Sequence, residues 1–302
     1  MFDVQASGAI DKNKVLKTVV FSGGGSRGIA HAGFLRALYE KQAIDWGLRC
    51  PRLECVAGCS IGAFTAFCIV IGYSVAEFED LASTVTFADL TNISPMRIFQ
   101  QRVALDDSQT LRTFLRKIMS SKIRCDEHEC DTVTFQDLFE RTKIHFACSA
   151  TCIEERSLVL FSSSTSPSVC VLDALLASMA LPPVFDPVKI DGRWYADGGL
   201  VNGLPISFFD SSTTLGIRLV QQQLTMKDIF ASKLPIASYL LQISRIGNYQ
   251  EDFTGYTVVF IDCKKLSAFD TPSEKGRKDL LLSGYDSAVL FLSTFPSFFQ
   301  VL

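Results

Sequence analysis

Short, wholly apolar runs alternate along this chain with longer amphipathic ones. Residues 17–22 (KTVVFS) read as a buried strand. Residues 28–42 read as a helix, with Ile29, Ala32, Phe34, Leu35 and Leu38 largely on one side. A second strand is expected at 53–59 (LECVAGC), and 63–71 (AFTAFCIVI) is apolar all round, as a fully buried helix is. Residues 75–118 read as helical and more exposed. Strands follow at 144–150 and 158–161, then a short helix at 173–181 ended by Pro182 and Pro183. The runs 188–190 and 194–196 flank a turn at Asp191-Gly192, strands recur at 215–220 and 257–262, and 280–292 closes as a helix. Strands and helices alternating over short connections predict an α/β domain with a mostly parallel sheet. No repeat or long linker divides it, so residues 1–16 are expected as a lead-in and 17–302 as a single domain.

Composition adds exclusions. The 302 residues are 48% hydrophobic and 20% charged, a globular mix, and a net charge of −3 without a basic stripe argues against nucleic acid as a partner. The 24 phenylalanines favour a large apolar core or an apolar channel. The N-terminal stretch lacks the charge-then-apolar pattern of a secretory signal, and no run is long enough to span a bilayer. The ten irregularly spaced cysteines then read as reduced thiols, and the expected location is cytoplasmic.

Three stretches carry chemistry. The first is Gly23-Gly24-Gly25-Ser26-Arg27-Gly28, between a strand and a helix. Such a loop lets backbone come close to a phosphate, or to a negative charge that exists only during a reaction. The second is Gly58-Cys59-Ser60-Ile61-Gly62, a G-x-S-x-G after a strand and before a buried helix. Small residues there permit a sharp turn that leaves a serine hydroxyl exposed at the strand tip. The third is Asp197-Gly198-Gly199, an acid at a strand end followed by two glycines. A serine nucleophile needs a base. The three histidines do not supply the usual order of serine, acid, histidine: His31 reads as a helix-surface residue, His128 as solvated and His145 as packed.

The order GGGSRG, GCSIG and DGG, with ASMALPPVFDPV ahead of the last, resembles the patatin-like phospholipase family over about residues 18–205. That resemblance implies a three-layer α/β/α sandwich and a lipid acyl hydrolase using a Ser–Asp dyad without histidine. Carried onto this chain, Ser60 is the nucleophile and Asp197 the base. The loop from Gly23 to Gly28 is the oxyanion hole, Gly24 and Gly25 its best donors, Gly58 and Gly62 flank the elbow, and Gly198 and Gly199 follow the acid. No metal or other cofactor is implied. The implied partners are a phospholipid or other glycerolipid and, peripherally, a membrane surface, with any protein activator unknown. The family usually has Asn two residues before the proline that follows DGG. Gly203 stands there, with Asn202 one residue earlier, which puts the bracing of the Asp197 loop in question.

Other features read more plainly. Arg27 either favours a phosphate headgroup and orients the loop, or pairs with an acid at a helix start. Cys125-Asp126-Glu127-His128-Glu129-Cys130 reads as a solvated acidic loop, since zinc would want four ligands and no second pair follows. Cys59 reads as a small strand-end residue. The Phe-rich end, residues 288–302, reads as packing on its own domain, with an interfacial anchor as the alternative. Two other function classes compete with an acyl hydrolase: a phosphate- or nucleotide-binding protein using GGGSRG, and a catalytically silent scaffold. The first leaves GCSIG and DGG unexplained, and the second is opposed by the intact serine and aspartate.

Overall fold

A computed structural model describes residues 16–44, 53–244 and 252–295. In chain order come β1 (Thr18–Phe21), α1 (Ile29–Glu40), β2 (Cys55–Cys59), α2 (Ile61–Val70), α3 (Val75–Thr84), α4 (Met96–Phe99), α5 (Gln109–Ser120) and α6 (Phe135–Thr142). Then follow β3 (His145–Cys152), β4 (Ser157–Ser162), α7 (Val171–Met179), β5 (Val188–Ile190), β6 (Arg193–Asp197), β7 (Thr214–Val220), α8 (Met226–Ala231), α9 (Pro235–Ser244), β8 (Thr257–Asp262) and α10 (Glu274–Thr294). The expected lead-in and the last residues of the Phe-rich end, 296–302, lie outside the described residues apart from Leu16.

The strands form one sheet in the order β5-β6-β3-β2-β1-β7-β8, with β4 on β3 off this path. The run β3-β2-β1-β7-β8 is parallel throughout, and β4, β5 and β6 pair antiparallel. Side chains alternate across the sheet. Phe21, Val56, Cys148, Ile217 and Val259 join the apolar cluster of α1, α2, α7 and α10. Val20, Ala57, Ala147 and Val258 face a smaller cluster with Leu204, Ile206 and Phe253. The fold is α/β, a three-layer α/β/α arrangement whose outer layers are unequal.

One strand organises the sheet's business end. β4 lies along β3 from Ala147 to Cys152. β2 pairs with β3 as far as Cys59 opposite Ser149, and β6 begins where β2 stops, with Asp197 opposite Ala150. Since β4 fills one edge of β3, β2 and β6 must share the other, end to end. The β5–β6 hairpin is closed by Asp191 and Gly192 with φ of 48° and 85°. These positive values suit a tight hairpin turn and explain the D-G pair there.

The stretch expected as helical over 75–118 is not continuous. Between α3 and α5 it holds only a short 3-10 turn and α4. The intervening chain spends its backbone elsewhere: Leu105 N–H donates to Pro183 O at 3.0 Å and Asp106 N–H to Val184 O at 2.8 Å. The buried Asp106 carboxylate accepts from Ser108 N–H at 2.6 Å. Those bonds tie the segment to the end of α7, and a helix would have consumed the same groups internally.

The closest helix contact is α1 against α10. A Cβ on Gly33 would fall 1.9 Å from Leu281 O, and one on Gly284 1.9 Å from Ala30 O. Ala288 and Phe291 of α10 are also fully buried, so the described part of the Phe-rich end packs on its own domain. Gly284→Ala should therefore destabilise by about 1–3 kcal/mol, because overpacking outweighs the gain in helix propensity. Urea denaturation checks this, and an unchanged midpoint would mean the helices part without cost.

Candidate active site

Ser60 sits between β2 and α2 with φ 53° and ψ −124°. A non-glycine residue rarely adopts this backbone, and the surrounding packing has to enforce it. The enforcement is visible. A Cβ on Gly58 would lie 2.3 Å from the Gly62 carbonyl, and one on Gly62 would lie 2.2 Å from Phe21 O. The elbow therefore closes only with glycine on both sides of the serine. Its amide is held as well, Ser60 N–H donating to Ser178 Oγ at 2.9 Å.

Asp197, at the tip of β6, is 2% exposed. Its Oδ1 accepts from Gly199 N–H at 2.7 Å, and the Cys59 thiol lies 3.8 Å from the same oxygen. Burial, and then the nearby Asp197 charge, push that thiol well above its ordinary pKa, so it stays a proton donor. Thr151 Oγ1 donates to Asp197 O at 2.9 Å, and Asp197 N–H donates to Ala180 O at 2.9 Å. The carboxyl is thus fixed from several sides. Among the described residues the Ser60 hydroxyl donates to no protein acceptor.

The Gly-rich loop is anchored through its own backbone. Gly23 N–H donates to Gly203 O at 2.9 Å, Ser26 N–H to Ala268 O at 3.0 Å, and Arg27 N–H to Gly24 O at 3.3 Å. Gly24 and Gly25, opening the short 3-10 helix that precedes α1, donate to no protein acceptor among the described residues. Free amides of this kind are general at helix starts. Gly25 has φ 58°, and a Cβ there would fall 2.2 Å from Ala268 O. Arg27 is 3% exposed and donates from Nε to Gly24 O at 2.8 Å and from Nη1 to Gln221 Oε1 at 3.1 Å. These bonds tie Arg27 to the loop's own backbone and to the residue after β7. The Gly203 position that departs from the family pattern is used through its carbonyl, on Gly23, while Asn202 Oδ1 accepts from Leu204 N–H at 2.9 Å.

Ser60, Asp197, Gly199 and every residue from Gly23 to Gly28 line one cavity of about 370 Å³. The rest of its wall is mostly apolar, with Phe64, Leu111, Phe114, Met179, Leu181 and Phe185. Arg27, Arg218 and Arg277 also reach it. Gly58, Gly62 and Gly198 stand behind this wall as packing positions. Sequence reasoning missed Ser178, Thr151 and Arg218. Each is a polar residue inside a mostly apolar helix or strand, and that was the available signal.

None of the three histidines lines the cavity. His31 is the correction: it is wholly buried in α1, its Nδ1 3.1 Å from Thr65 Oγ1, because α1 is enclosed by α2, α10 and the sheet. His145 stacks on Phe139 with ring centroids 4.1 Å apart. His128 belongs to a loop in which Asp126 Oδ1 accepts from the amides of His128 and Glu129, both at 2.8 Å.

Comparison with known proteins gives the family. The model of the patatin-like phospholipase family matches residues 19–210. This chain therefore belongs to the patatin-like phospholipase family. It is 26% identical over 195 residues to "Probable lipid hydrolase 463L" of Invertebrate iridescent virus 6, a match spanning 65% of this chain and 63% of that protein. It is 23% identical over 236 residues to an uncharacterized protein of Acanthamoeba polyphaga mimivirus, spanning 77% of this chain and 75% of the other. Among solved structures, VipD from Legionella pneumophila superposes with a TM-score of 0.62 at 16% identity, covering 92% of this chain and 67% of VipD. That likeness is one of fold.

Burial of His31 carries a testable pH dependence. Burial lowers its pKa from 6.5 to about 3, so between those values the unfolded chain holds a proton that the folded one does not. Its full contribution to stability is present above pH 6.5 and is lost progressively as pH falls to about 3. The slope is about 1.4 kcal/mol per pH unit. Denaturant titrations should show this slope in the wild type and a flatter profile in His31→Gln; equal slopes would reject it.

Proposed function

We propose that this protein is a serine lipid acyl hydrolase acting on phospholipids, lysophospholipids or other glycerolipids. The observation that carries this reading is one apolar cavity in which Ser60, Asp197 and the open amides of Gly24 and Gly25 meet. The acyl chain lies against Phe64, Phe114 and Phe185, with its ester carbonyl at the polar end. Ser60 Oγ attacks the carbonyl carbon while Asp197 takes the hydroxyl proton. The carbonyl oxygen becomes negative, and the amides of Gly24 and Gly25 stabilise it. The intermediate collapses, the ester C–O bond breaks, and the departing alcohol takes the proton from Asp197. Water then attacks the acyl-enzyme, giving its proton to Asp197 and its oxygen to the acyl carbon. The second collapse releases the fatty acid and returns the proton to Ser60.

The supports are of different kinds. Family membership and the viral relative named as a lipid hydrolase support hydrolysis of lipids. The Ser60–Asp197 pairing rests on the geometry of two strand ends. A phosphate-cradle reading of the loop is less well served, since the amides of Gly23, Ser26 and Arg27 are already spent on carbonyls. We also take residues 17–302 as one catalytic domain working in the cytoplasm at membrane surfaces. Among the described residues no helix is long and apolar enough to cross a membrane.

The test is fatty-acid release from mixed phospholipid and neutral-lipid vesicles, together with fluorophosphonate labelling. Ser60→Ala should lose both. Asp197→Asn should lose turnover by about 10²-fold or more while keeping its thermal transition, the scale expected for a lost general base. Near-normal turnover in Asp197→Asn would remove it from the mechanism. Activity in both assays should survive a chelator, and loss that calcium restores would mean a metal takes part.

A further inference from the structure

We propose that the outer face of α8 and α9 is the surface on which this protein seats on a lipid bilayer carrying anionic headgroups. The proposal rests on the lipid-hydrolase reading and names where that enzyme meets its substrate phase. Helix α9 has two apolar faces. Inward, Ala237 and Ser238 are buried, and Ser238 Oγ lies 2.9 Å from both Ser232 Oγ and Ser267 Oγ. Outward, Ile236, Tyr239, Leu240 and Ile243 are 73%, 44%, 40% and 39% exposed. Their spacing of three, four and seven residues makes one stripe on a helix. No residue of α9 is charged. Beside it α8 exposes Met226 and Phe230, the latter by 71%.

An exposed apolar stripe of this kind marks an interaction site. Three observations select a bilayer as its occupant. First, the helix that carries the stripe also walls the cavity from its inner side: Leu241, one turn on from buried Ala237, lines the cavity, and so do Ala268 and Asp270 of the segment after β8. Lys233 N–H donates to Asp270 Oδ1 at 2.9 Å, joining the helix pair to that segment. Second, the rim carries exposed Lys227, Lys233 and Lys265, and the one acid of α8, Asp228, is engaged by Lys265 at 3.2 Å. Apolar side chains flanked by lysines suit a helix lying in an anionic interface. Third, the stripe offers only the Tyr239 hydroxyl for polar contact, whereas protein interfaces carry about one hydrogen bond per 100–200 Å². Another exposed apolar group, Met96, Ile98 and Phe99 of α4, stands on a helix that contributes no residue to the cavity wall and serves as a control.

The experiment is flotation of the full chain with vesicles of phosphatidylcholine, with and without phosphatidylserine. Ser60→Ala is run beside wild type, so that binding is read independently of hydrolysis. Wild type and Ser60→Ala should float with the mixed vesicles, less with phosphatidylcholine alone, and less as salt rises. Ile236→Glu combined with Leu240→Glu should lose at least about tenfold in binding, since it removes two apolar side chains from the interface and sets two negative charges against anionic headgroups. The same double variant should keep its thermal transition and its turnover of a water-soluble short-chain ester. Undiminished flotation of the folded double variant would overturn the proposal. So would loss confined to Phe99→Ser, or a wild-type dimer that the double variant dissociates without any vesicle binding by wild type.

Discussion

Two neighbouring residues of β3 hold the site together. Ser149 carries the end of β2 and Ala150 the end of β6, on the same edge of the same strand. A parallel strand arriving from one side and an antiparallel strand arriving from the other therefore meet tip to tip. Ser60 follows the last residue of β2 and Asp197 is the last residue of β6. The two side chains come from opposite ends of a long stretch of sequence and are brought together by a backbone ladder, which is stiffer than any side-chain contact. Ladder geometry also explains the glycine after the acid: a Cβ on Gly198 would lie 2.7 Å from Ser149 O. The Cys59 thiol sits inside this junction, between the nucleophile's strand and the carboxyl.

Stiffness matters because neither group is reactive by itself. An aspartate with an ordinary pKa of about 3.9 is a weak base for a serine hydroxyl. It becomes useful only where the hydroxyl proton, the carboxylate and the stabilised oxyanion are held to within fractions of an ångström. Here Asp197 is fixed through both of its backbone polar groups and through Oδ1, and Ser60 through a strained elbow and its amide.

Much of this was legible in the sequence because its signals are local. The strand ends, the elbow and the DGG turn are each declared by glycines within a few residues of the reacting group. β1, β2, β3, β7 and β8 begin and end close to where their apolar runs do. The parts that were not legible depend on partners far along the chain. No local pattern says that β4 and β6 both run antiparallel on β3. Helices α6 and α8 were announced by capping boxes, Thr134 with Asp137 and Thr225 with Asp228, but their apolar periods are too short to stand out. Over 75–118 the periodicity persisted while the backbone left the helix to bond with residues 183–184. His31 shows the limit of a one-face reading, because α1 is covered on more sides than its pattern implies.

The family match ends at residue 210, yet the Gly-rich loop is not finished there. Ser22 Oγ accepts from Leu219 N–H at 2.8 Å, Arg27 Nη1 reaches Gln221, and Ser26 is held by Ala268 O and by Ser267 O at 3.1 Å. Gly25 takes its left-handed conformation directly against Ala268. The residues that aim the amides of Gly24 and Gly25 therefore come from β7 and from the segment after β8, outside the stretch that defines the family. Lys233 N–H, just ahead of α9, donates to Asp270 Oδ1 of that same segment after β8 at 2.9 Å, so the segment also holds the α8–α9 pair. In this chain the strand ends place Ser60 and Asp197, and the C-terminal third shapes the Gly-rich loop beside them.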